Sequence, residues 1–122
     1  MFTISKQFSF SASHVLSGLP DNHPCTRLHG HNYVVELVLT AEEVDQAGFV
    51  IDYRRLDAFK RFLDARLDHT HLNDLLVVSP SAELLARFLS AWCIANLDPD
   101  IVERLAAVRV SETPGTWAEH RR

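Results

Sequence analysis

Apolar and polar residues alternate along the first fourteen positions of the chain. The even positions carry mostly apolar side chains, and the odd positions from Thr3 to Ser13 carry polar ones. This period of two predicts a β-strand with one buried face. Lys6 interrupts the apolar series, which indicates either a bulge or a side chain whose stem reaches solvent. His14 continues the apolar series, so we expect its imidazole to face the core.

A second alternating segment follows a turn-rich loop at residues 17–27. Residues 28–40, LHGHNYVVELVLT, predict a strand with one face made of alternate residues from His29 to Leu39. After a polar connection at residues 41–48, the apolar run FVID at residues 49–52 predicts a short third strand. We expect the neighbouring strands to pair in antiparallel fashion, because that arrangement needs only short connections.

Helical spacing replaces this alternation in the second half of the chain. Residues 53–67 carry leucine or phenylalanine at positions 56, 59, 63 and 67, with Asp52 as the expected N-cap. A second helix is expected to begin at Pro80, with Ser79 as its cap, and to end at residues 96–100, NLDPD. Residues 105–113, LAAVRVSET, predict the last strand.

The order of these elements predicts the fold class. Three strands, two helices and a final strand favour an α+β domain built on an antiparallel sheet. A length of 122 residues is typical of one domain, so residues 1–122 are expected to form a single unit.

Charge and cysteine content narrow the class of protein. A net charge of -4 at pH 7 argues against a general nucleic-acid-binding protein. The N-terminal segment lacks a basic stretch followed by an apolar run, so we expect no signal peptide, and no run is long enough for a membrane span. Cys25 and Cys93 lie in dissimilar contexts and do not suggest a disulfide, which favours a reducing, cytoplasmic environment.

Three histidines are the strongest candidates for metal ligands. His29 and His31 are two apart on a predicted strand, so their side chains point the same way, and Gly30 leaves space between them. His14 would provide a third nitrogen from the neighbouring strand. Three imidazoles suit Zn²⁺ and leave a coordination position open, as in catalytic zinc sites. A lone histidine is more often a core or surface residue, but the combination favours the metal.

Cys25 lies in the loop before the histidine pair, two residues before Arg27. A neighbouring cation or metal ion favours the thiolate form of a cysteine, which can act as a base or a nucleophile. A zinc ligand and an inert thiol are equally compatible with this position. Cys93 lies in an apolar helical segment and is expected to be packed in the core.

A carboxylate and an imidazole are adjacent in the segment LDHTHLN. Asp68 precedes His69, and a carboxylate that orients an imidazole forms an acid–base pair. Adjacent residues need not touch, so the pair is a hypothesis. His71 is either an alternative metal ligand or a polar loop residue, and we favour the loop residue.

Glu112 lies at the end of the last predicted strand, on the same face as Val108 and Val110. A carboxylate on an apolar face needs hydrogen-bond donors or remains protonated. The N–H groups of a planar ring such as a pterin or guanine would supply two such donors. A glutamate at a frayed strand end just before Pro114 is the simpler alternative.

Five motifs in a fixed order carry a resemblance to a known family. FSASH, CTRLHGHNY, GFVIDY, LDHTHLN and SET span residues 10–113, and together they are far more specific than any one of them. In this combination the chain resembles the 6-pyruvoyl-tetrahydropterin synthase family. Three residues separate Cys25 from His29, a spacing similar to the bacterial 6-carboxy-tetrahydropterin branch, which serves queuosine biosynthesis.

The resemblance implies a fold and an assembly. Family members have the tunnelling fold (T-fold), an antiparallel sheet with two helices packed on one side. Their sheets join into a barrel on oligomerisation, typically as a hexamer made of two trimers, with active sites where subunits meet. A homo-oligomer would also cover the exposed sheet edges.

The resemblance implies a reaction as well. The substrate would be 7,8-dihydroneopterin triphosphate, and the products 6-carboxy-5,6,7,8-tetrahydropterin, acetaldehyde and triphosphate. Zn²⁺ would make neighbouring C–H bonds of the substrate acidic, and no organic cofactor would be needed. The implied residues are His14, His29 and His31 for zinc, Cys25, Asp68 and His69 for proton transfer, and Glu112 for the pterin ring.

Two substrate contacts are less directly implied. The family often has a Pro-Thr pair at the start of the second helix, whose threonine helps to hold the pterin. Here Pro80 is followed by Ser81, which keeps a hydroxyl group. Arg27 is our candidate phosphate contact, because guanidinium groups suit phosphate oxygens.

Three alternatives remain at this point. An enzyme of the same fold could make 6-pyruvoyl-tetrahydropterin, or cleave dihydroneopterin triphosphate without further chemistry. A zinc- and pterin-binding protein without turnover would need only the histidines and Glu112, so Cys25, Asp68 and His69 argue against it. A structural zinc site normally has four protein ligands, which three histidines do not supply unless Cys25 is the fourth.

Overall fold

A computed structural model describes all residues, 1–122, and shows one open five-stranded sheet. The strands are β1 (Phe2–His14), β2 (His29–Ala41), β3 (Thr70–His71), β4 (Leu105–Ser111) and β5 (Ala118–Arg121). Their order across the sheet is β3-β1-β2-β4-β5. All pairings are antiparallel except the two-residue pairing of β3 with β1, which is parallel.

The helices lie on one face of this sheet. Helix α1 (Asp57–Phe62) follows a 3₁₀ turn (Tyr53–Leu56) and continues into a π-helical turn (Leu63–Leu67). Helix α2 (Ala82–Asn96) is the longest, and a short helix α3 (Pro99–Arg104) leads into β4. Two further 3₁₀ turns occupy Pro24–Thr26 and Leu72–Asp74. None of these helices has the length and hydropathy that a membrane-spanning helix requires.

The core fills the space between the helices and the covered face of the sheet. Phe10 of β1 stacks on Tyr33 of β2, with ring centroids 5.0 Å apart, and Phe8 meets Phe59 of α1 edge to face. The predicted α+β class, the antiparallel main sheet and the placement of helices on one side are confirmed. All four apolar positions predicted for the first helix are fully buried: Leu56, Phe59, Leu63 and Leu67.

The predicted third strand at residues 49–52 is wrong. This segment pairs with no strand and follows a turn at residues 45–49, in which the Asp45 side chain accepts hydrogen bonds from the amides of Ala47 and Phe49, both at 2.9 Å. Val50 and Ile51 are nevertheless buried, at 7% and 5% exposure. Both side chains pack in the core although the segment pairs with no strand. A buried apolar run of this kind has the same sequence pattern as a short buried strand.

The predicted cap of the second helix is also wrong. Ser81, not Ser79, is the N-cap, because its hydroxyl accepts the amide proton of Leu84 at 3.2 Å. Pro80 lies before the helix, and its carbonyl oxygen accepts a hydrogen bond from the His14 ring at 2.8 Å. Lys6 introduces no bulge, since the register of β1 with β2 is continuous.

Replacing Leu63 with alanine tests the core. Leu63 is fully buried, so L63A should lower the free energy of unfolding by about 2–5 kcal/mol. V77A is the control, because Val77 is fully exposed and its truncation should change that free energy by less than about 0.5 kcal/mol. Urea unfolding at one fixed protein concentration measures both, and equal midpoints for the two variants would contradict this packing.

Candidate metal centre and adjoining cavities

The pairing of β1 with β2 brings three imidazoles together at one end of the sheet. His14 lies opposite His29 in the register, and His31 follows two residues later on the same face. The ring centroids are 4.4 Å apart for His14 and His29, 5.0 Å for His14 and His31, and 4.9 Å for His29 and His31. One ring nitrogen of each lies within 4.8 Å of the others, so the cluster can hold a metal ion.

Backbone carbonyl groups orient two of these rings. The Nδ1–H of His14 donates to the carbonyl oxygen of Pro80 at 2.8 Å, and the Nδ1–H of His29 donates to that of Arg27 at 2.7 Å. Because a carbonyl only accepts, the proton of each neutral ring is on Nδ1 and the Nε2 lone pair is free. The Tyr33 hydroxyl lies 3.2 Å from the same His14 nitrogen.

This tautomer assignment makes the cluster a good fit for a cation. The Nε2 atoms of His14 and His29 face each other at 2.8 Å, and two lone pairs at that distance repel unless a positive charge lies between them. The Nε2 atom of His31 is buried and has no hydrogen-bond partner. Imidazole nitrogens are preferred ligands of Zn²⁺ and related transition metals.

Burial also keeps the third ring ready to coordinate. It lowers the pKa of His31, although the nearby Glu112 carboxylate opposes this effect. The neutral imidazole is the form that binds a metal. Burial likewise raises the pKa of Tyr33, so its hydroxyl keeps its proton.

Cys25 lies in the 3₁₀ turn that precedes β2. Its amide donates to the His23 ring at 3.1 Å, and its carbonyl oxygen accepts the amide proton of Leu16 at 3.0 Å. The hydrogen bond from Leu16 ties the turn of Cys25 to the segment just after His14. The Cys25 side chain is a free, half-buried thiol. Arg27 is exposed, with its side chain in no ion pair or hydrogen bond.

Asp68 and His69 do form a contact. The His69 Nε2 atom lies 3.4 Å from Asp68 Oδ2, and Asp68 Oδ1 accepts the amide proton of Ser11 at 2.9 Å. His69 has a φ of +60°, a left-handed conformation that costs free energy in a residue with a Cβ atom. Its side chain is 85% exposed, so the strained backbone holds the imidazole out from the protein.

This acid–base pair lies on the face of the sheet that the helices leave open. His69 borders a cavity of about 540 Å³ whose floor comprises residues 11–13 and 30–32. His71 borders it too, and its Nδ1 atom lies 2.9 Å from the Ser13 hydroxyl. Ser13 neighbours His14 in the strand, so their side chains point to opposite faces. His31 of the cluster also lines this cavity, whereas His14 and His29 do not.

Glu112 belongs to a second cavity, which adjoins the histidines. This cavity of about 470 Å³ is lined by Leu16, Ser81, Glu112 and Trp117, among others. Glu112 Oε2 lies 3.6 Å from His31 Nε2, so the carboxylate stands between the cluster and the cavity. Leu16 also connects this cavity to the turn of Cys25.

Several residues of the site were not found from the sequence. Pro80 and Arg27 contribute backbone carbonyl groups, which the pattern of side chains in a sequence does not reveal. Tyr33 shares the face of His29 and His31, so strand alternation could have suggested its role. Trp117 lies in the C-terminal segment, where only an aromatic residue after a polar turn gave a hint.

An open sheet with helices on one face and this histidine cluster place the chain in the T-fold class. A solved structure of 6-pyruvoyl tetrahydropterin synthase from Caenorhabditis elegans has the same fold, with a TM-score of 0.85 and 24% identity. The match covers 99% of this chain and 95% of that one. Residues 3–122 match the family model described as 6-pyruvoyl tetrahydropterin synthase, and the chain belongs to this family.

Curated relatives in this family carry a more specific name. The chain is 35% identical over 120 residues to a 6-carboxy-5,6,7,8-tetrahydropterin synthase from Synechocystis, a match that covers 93% of this chain and 88% of the relative. It is 30% identical over 132 residues to a protein of the same name from Bacillus subtilis, covering 98% and 85%. The predicted family is thereby confirmed.

Removing one imidazole should remove the metal. We expect the wild type to hold about one zinc per chain and H29A to lose most of it, whereas H71A, which removes an imidazole outside the cluster, should keep it. Elemental analysis after dialysis measures the metal content. A chelator should lower the unfolding midpoint of the wild type but not of H29A. Wild-type zinc content in H29A would contradict the assignment.

Proposed function

We propose that this chain is a zinc-dependent 6-carboxy-5,6,7,8-tetrahydropterin synthase. Its substrate would be 7,8-dihydroneopterin triphosphate. Together with one water molecule, the substrate would give 6-carboxy-5,6,7,8-tetrahydropterin, acetaldehyde and triphosphate. The observation that carries the proposal is the cluster of three histidines beside Glu112, in a chain of this family.

Two observations favour this branch of the family over others. The curated relatives at 30–35% identity that cover most of the chain are named 6-carboxy-tetrahydropterin synthases. The three-residue spacing between Cys25 and His29 agrees with that branch. A 6-pyruvoyl-tetrahydropterin synthase or a related dihydroneopterin triphosphate lyase would use the same fold and is the nearest alternative.

His14, His29 and His31 would hold the zinc ion. The fit rests on the lone pairs of His14 and His29 that face each other and on the buried, unpartnered nitrogen of His31. When bound, the ion would act as a Lewis acid for an oxygen of the substrate side chain. With three protein ligands, the site leaves a position for that oxygen.

Glu112 would anchor the pterin ring. Its carboxylate would accept hydrogen bonds from two N–H groups of such a ring. Because Glu112 lies next to His31, the ring would then lie beside the metal cluster. Ser81 borders the same cavity, and because its hydroxyl oxygen only accepts the Leu84 amide proton, its own proton would be free to donate to the ring. Arg27, with its unpaired guanidinium, would contact the phosphates.

Cys25, Asp68 and His69 would move protons. The Cys25 thiolate would take a proton from the substrate side chain, and the Asp68–His69 pair would give or accept another. Because the His69 side chain is 85% exposed, we propose that this pair acts on the site of a neighbouring subunit. The strained backbone of His69 agrees with such a role, because strain is often retained at functional sites.

The protein would accordingly work as a homo-oligomer. We propose a hexamer made of two trimers, in which sheets join edge to edge into a barrel. The sheet of one chain is open, with β3 and β5 at its edges. Its open face carries a chain of ion pairs from Glu36 through Arg109 and Glu119 to Arg121, which would line the barrel.

The product would enter queuosine biosynthesis in the cytoplasm. Both cysteines are free, in agreement with a reducing compartment. A zinc- and pterin-binding protein without turnover is the alternative from another class. The contact between Asp68 and His69 argues against it, because pure binding does not need an acid–base pair.

Product analysis tests the proposal directly. The zinc-loaded protein is incubated with 7,8-dihydroneopterin triphosphate, the pterin products are identified by mass spectrometry, and acetaldehyde is assayed in parallel. We expect carboxy-tetrahydropterin and acetaldehyde in equal amounts. A pyruvoyl product would assign the chain to the alternative branch, and unchanged substrate would favour the binding protein.

Removing the Cys25 thiol tests its role in proton transfer. C25A should lower kcat by about 10²- to 10⁴-fold, the range typical of a lost acid–base group, with zinc content unchanged. C93A is the control, because Cys93 is fully buried and burial raises the pKa of its thiol to about 12. Its turnover should be close to that of the wild type. Loss of zinc in C25A would instead make Cys25 a ligand.

A further inference from the structure

We infer that Asn73 is a positioning residue of the proposed reaction: its side chain holds the segment that joins the metal ligand His14 to the turn of Cys25. The inference rests on the proposed function and adds a residue that acts through others. The Asn73 Oδ1 atom accepts the amide proton of Val15 at 2.8 Å, and its Nδ2 group donates to the carbonyl oxygen of Val15 at 2.9 Å. One carboxamide thus pairs with both backbone groups of a single residue.

This carboxamide continues the parallel pairing of β3 with β1. Ser13 lies opposite His71 in that pairing. Val15 and Asn73 come two positions further along each segment, and both pairs are 58 positions apart in the sequence. The backbone leaves the strand at this point, because Leu72–Asp74 forms a 3₁₀ turn. The Asn73 side chain therefore takes the place of the peptide group that a longer strand would have offered to β1.

The peptide group between Val15 and Leu16 carries the effect to Cys25. Its carbonyl oxygen is the one that Asn73 holds, and its amide, on Leu16, donates to the Cys25 carbonyl oxygen at 3.0 Å. A peptide group is planar and rigid, so fixing its oxygen also fixes the direction of its N–H. Asn73 and the Cys25 turn therefore hold this group from opposite sides.

The bond from Leu16 is the hydrogen bond that ties the Cys25 turn to the end of β1. The other hydrogen bonds of Pro24–Thr26 stay within residues 21–27, as in the bond from the Cys25 amide to the His23 ring. These local bonds set the shape of the turn but not its place relative to the metal cluster. A change at Val15 should therefore move the thiol of Cys25 relative to that cluster.

His14 is held by contacts that do not involve Asn73. Its Nδ1–H donates to the carbonyl oxygen of Pro80 at 2.8 Å, and it lies opposite His29 in the pairing of β1 with β2. Loss of the Asn73 amide should therefore disturb the Cys25 turn and leave the metal cluster intact. Asn73 is exposed, and hydrogen bonds open to water contribute little to the free energy of unfolding. We expect its effect in the geometry of the site.

Alkylation of Cys25 tests the inference without substrate. Zinc-loaded wild type and N73A are treated with iodoacetamide, and modification of Cys25 is followed by mass spectrometry. We expect N73A to react about 3- to 10-fold faster, the change in local opening that loss of a hydrogen bond typically gives, with zinc content unchanged. N96A is the control, because it removes an amide that donates to the Trp92 carbonyl at 2.8 Å, at the far end of α2. It should react at the wild-type rate.

Turnover tests the same positioning in the proposed reaction. N73A should lower kcat by about 10- to 100-fold, the cost of misplacing a reacting group by about 1 Å, with KM close to that of the wild type. The double variant of N73A and C25A should turn over no more slowly than C25A alone, because a residue that acts through Cys25 then has no thiol to position. A merely structural role would instead lower kcat by the same factor in both backgrounds.

The remaining outcomes separate this inference from the proposed function. If the wild type makes product and N73A reacts and turns over like the wild type, Asn73 positions nothing and the proposed function stands. If the wild type gives no product but N73A speeds alkylation, the proposed function fails and the link from Asn73 to Cys25 is supported. Loss of zinc in N73A, or a lower mass of its assembly in solution, would overturn the inference, because Asn73 would then support the metal cluster or a subunit contact.

Discussion

The antiparallel pairing of β1 with β2 is the interaction on which the site depends. Its register is continuous along the whole of both strands and ends with His14 opposite His29. A shift of one residue would move every side chain of either strand to the other face of the sheet. The register that stacks Phe10 on Tyr33 therefore also fixes the imidazoles. Core packing and metal geometry therefore depend on the same strand register.

Backbone groups outside this pair of strands complete the centre. The carbonyl of Pro80 holds His14, and the carbonyl of Arg27 holds His29, so the start of α2 and the loop before β2 are both tied to the cluster. Pro80 can serve in this way because it lies before the helix, with Ser81 as the cap. The same serine borders the cavity of Glu112, and the helix start thus connects the metal centre with the proposed ring site.

The two faces of the sheet divide the proposed chemistry. The covered face carries the histidine cluster, whereas the open face carries the strained His69 and the ion pairs around Arg109. The π-helical turn contributes here, because the Asp68 amide bonds back to the Leu63 carbonyl at 2.9 Å and the chain then turns along β1. The His69 imidazole is thereby exposed, and its cavity is lined by only one of the three clustered histidines, His31.

Reading the sequence alone was enough to predict the long strands, the buried positions between residues 56 and 67, and the three histidines that come together. Each of these follows from the alternation or spacing of side chains along one segment, which records the contrast between core and solvent. The cap at Ser81, the unpaired segment at residues 49–52 and the short edge strands β3 and β5 emerged only from the three-dimensional structure. It also decided that Trp117 borders the cavity of Glu112. These features depend on which distant backbone groups and surfaces are free to pair, and periodicity within a segment carries no information about that.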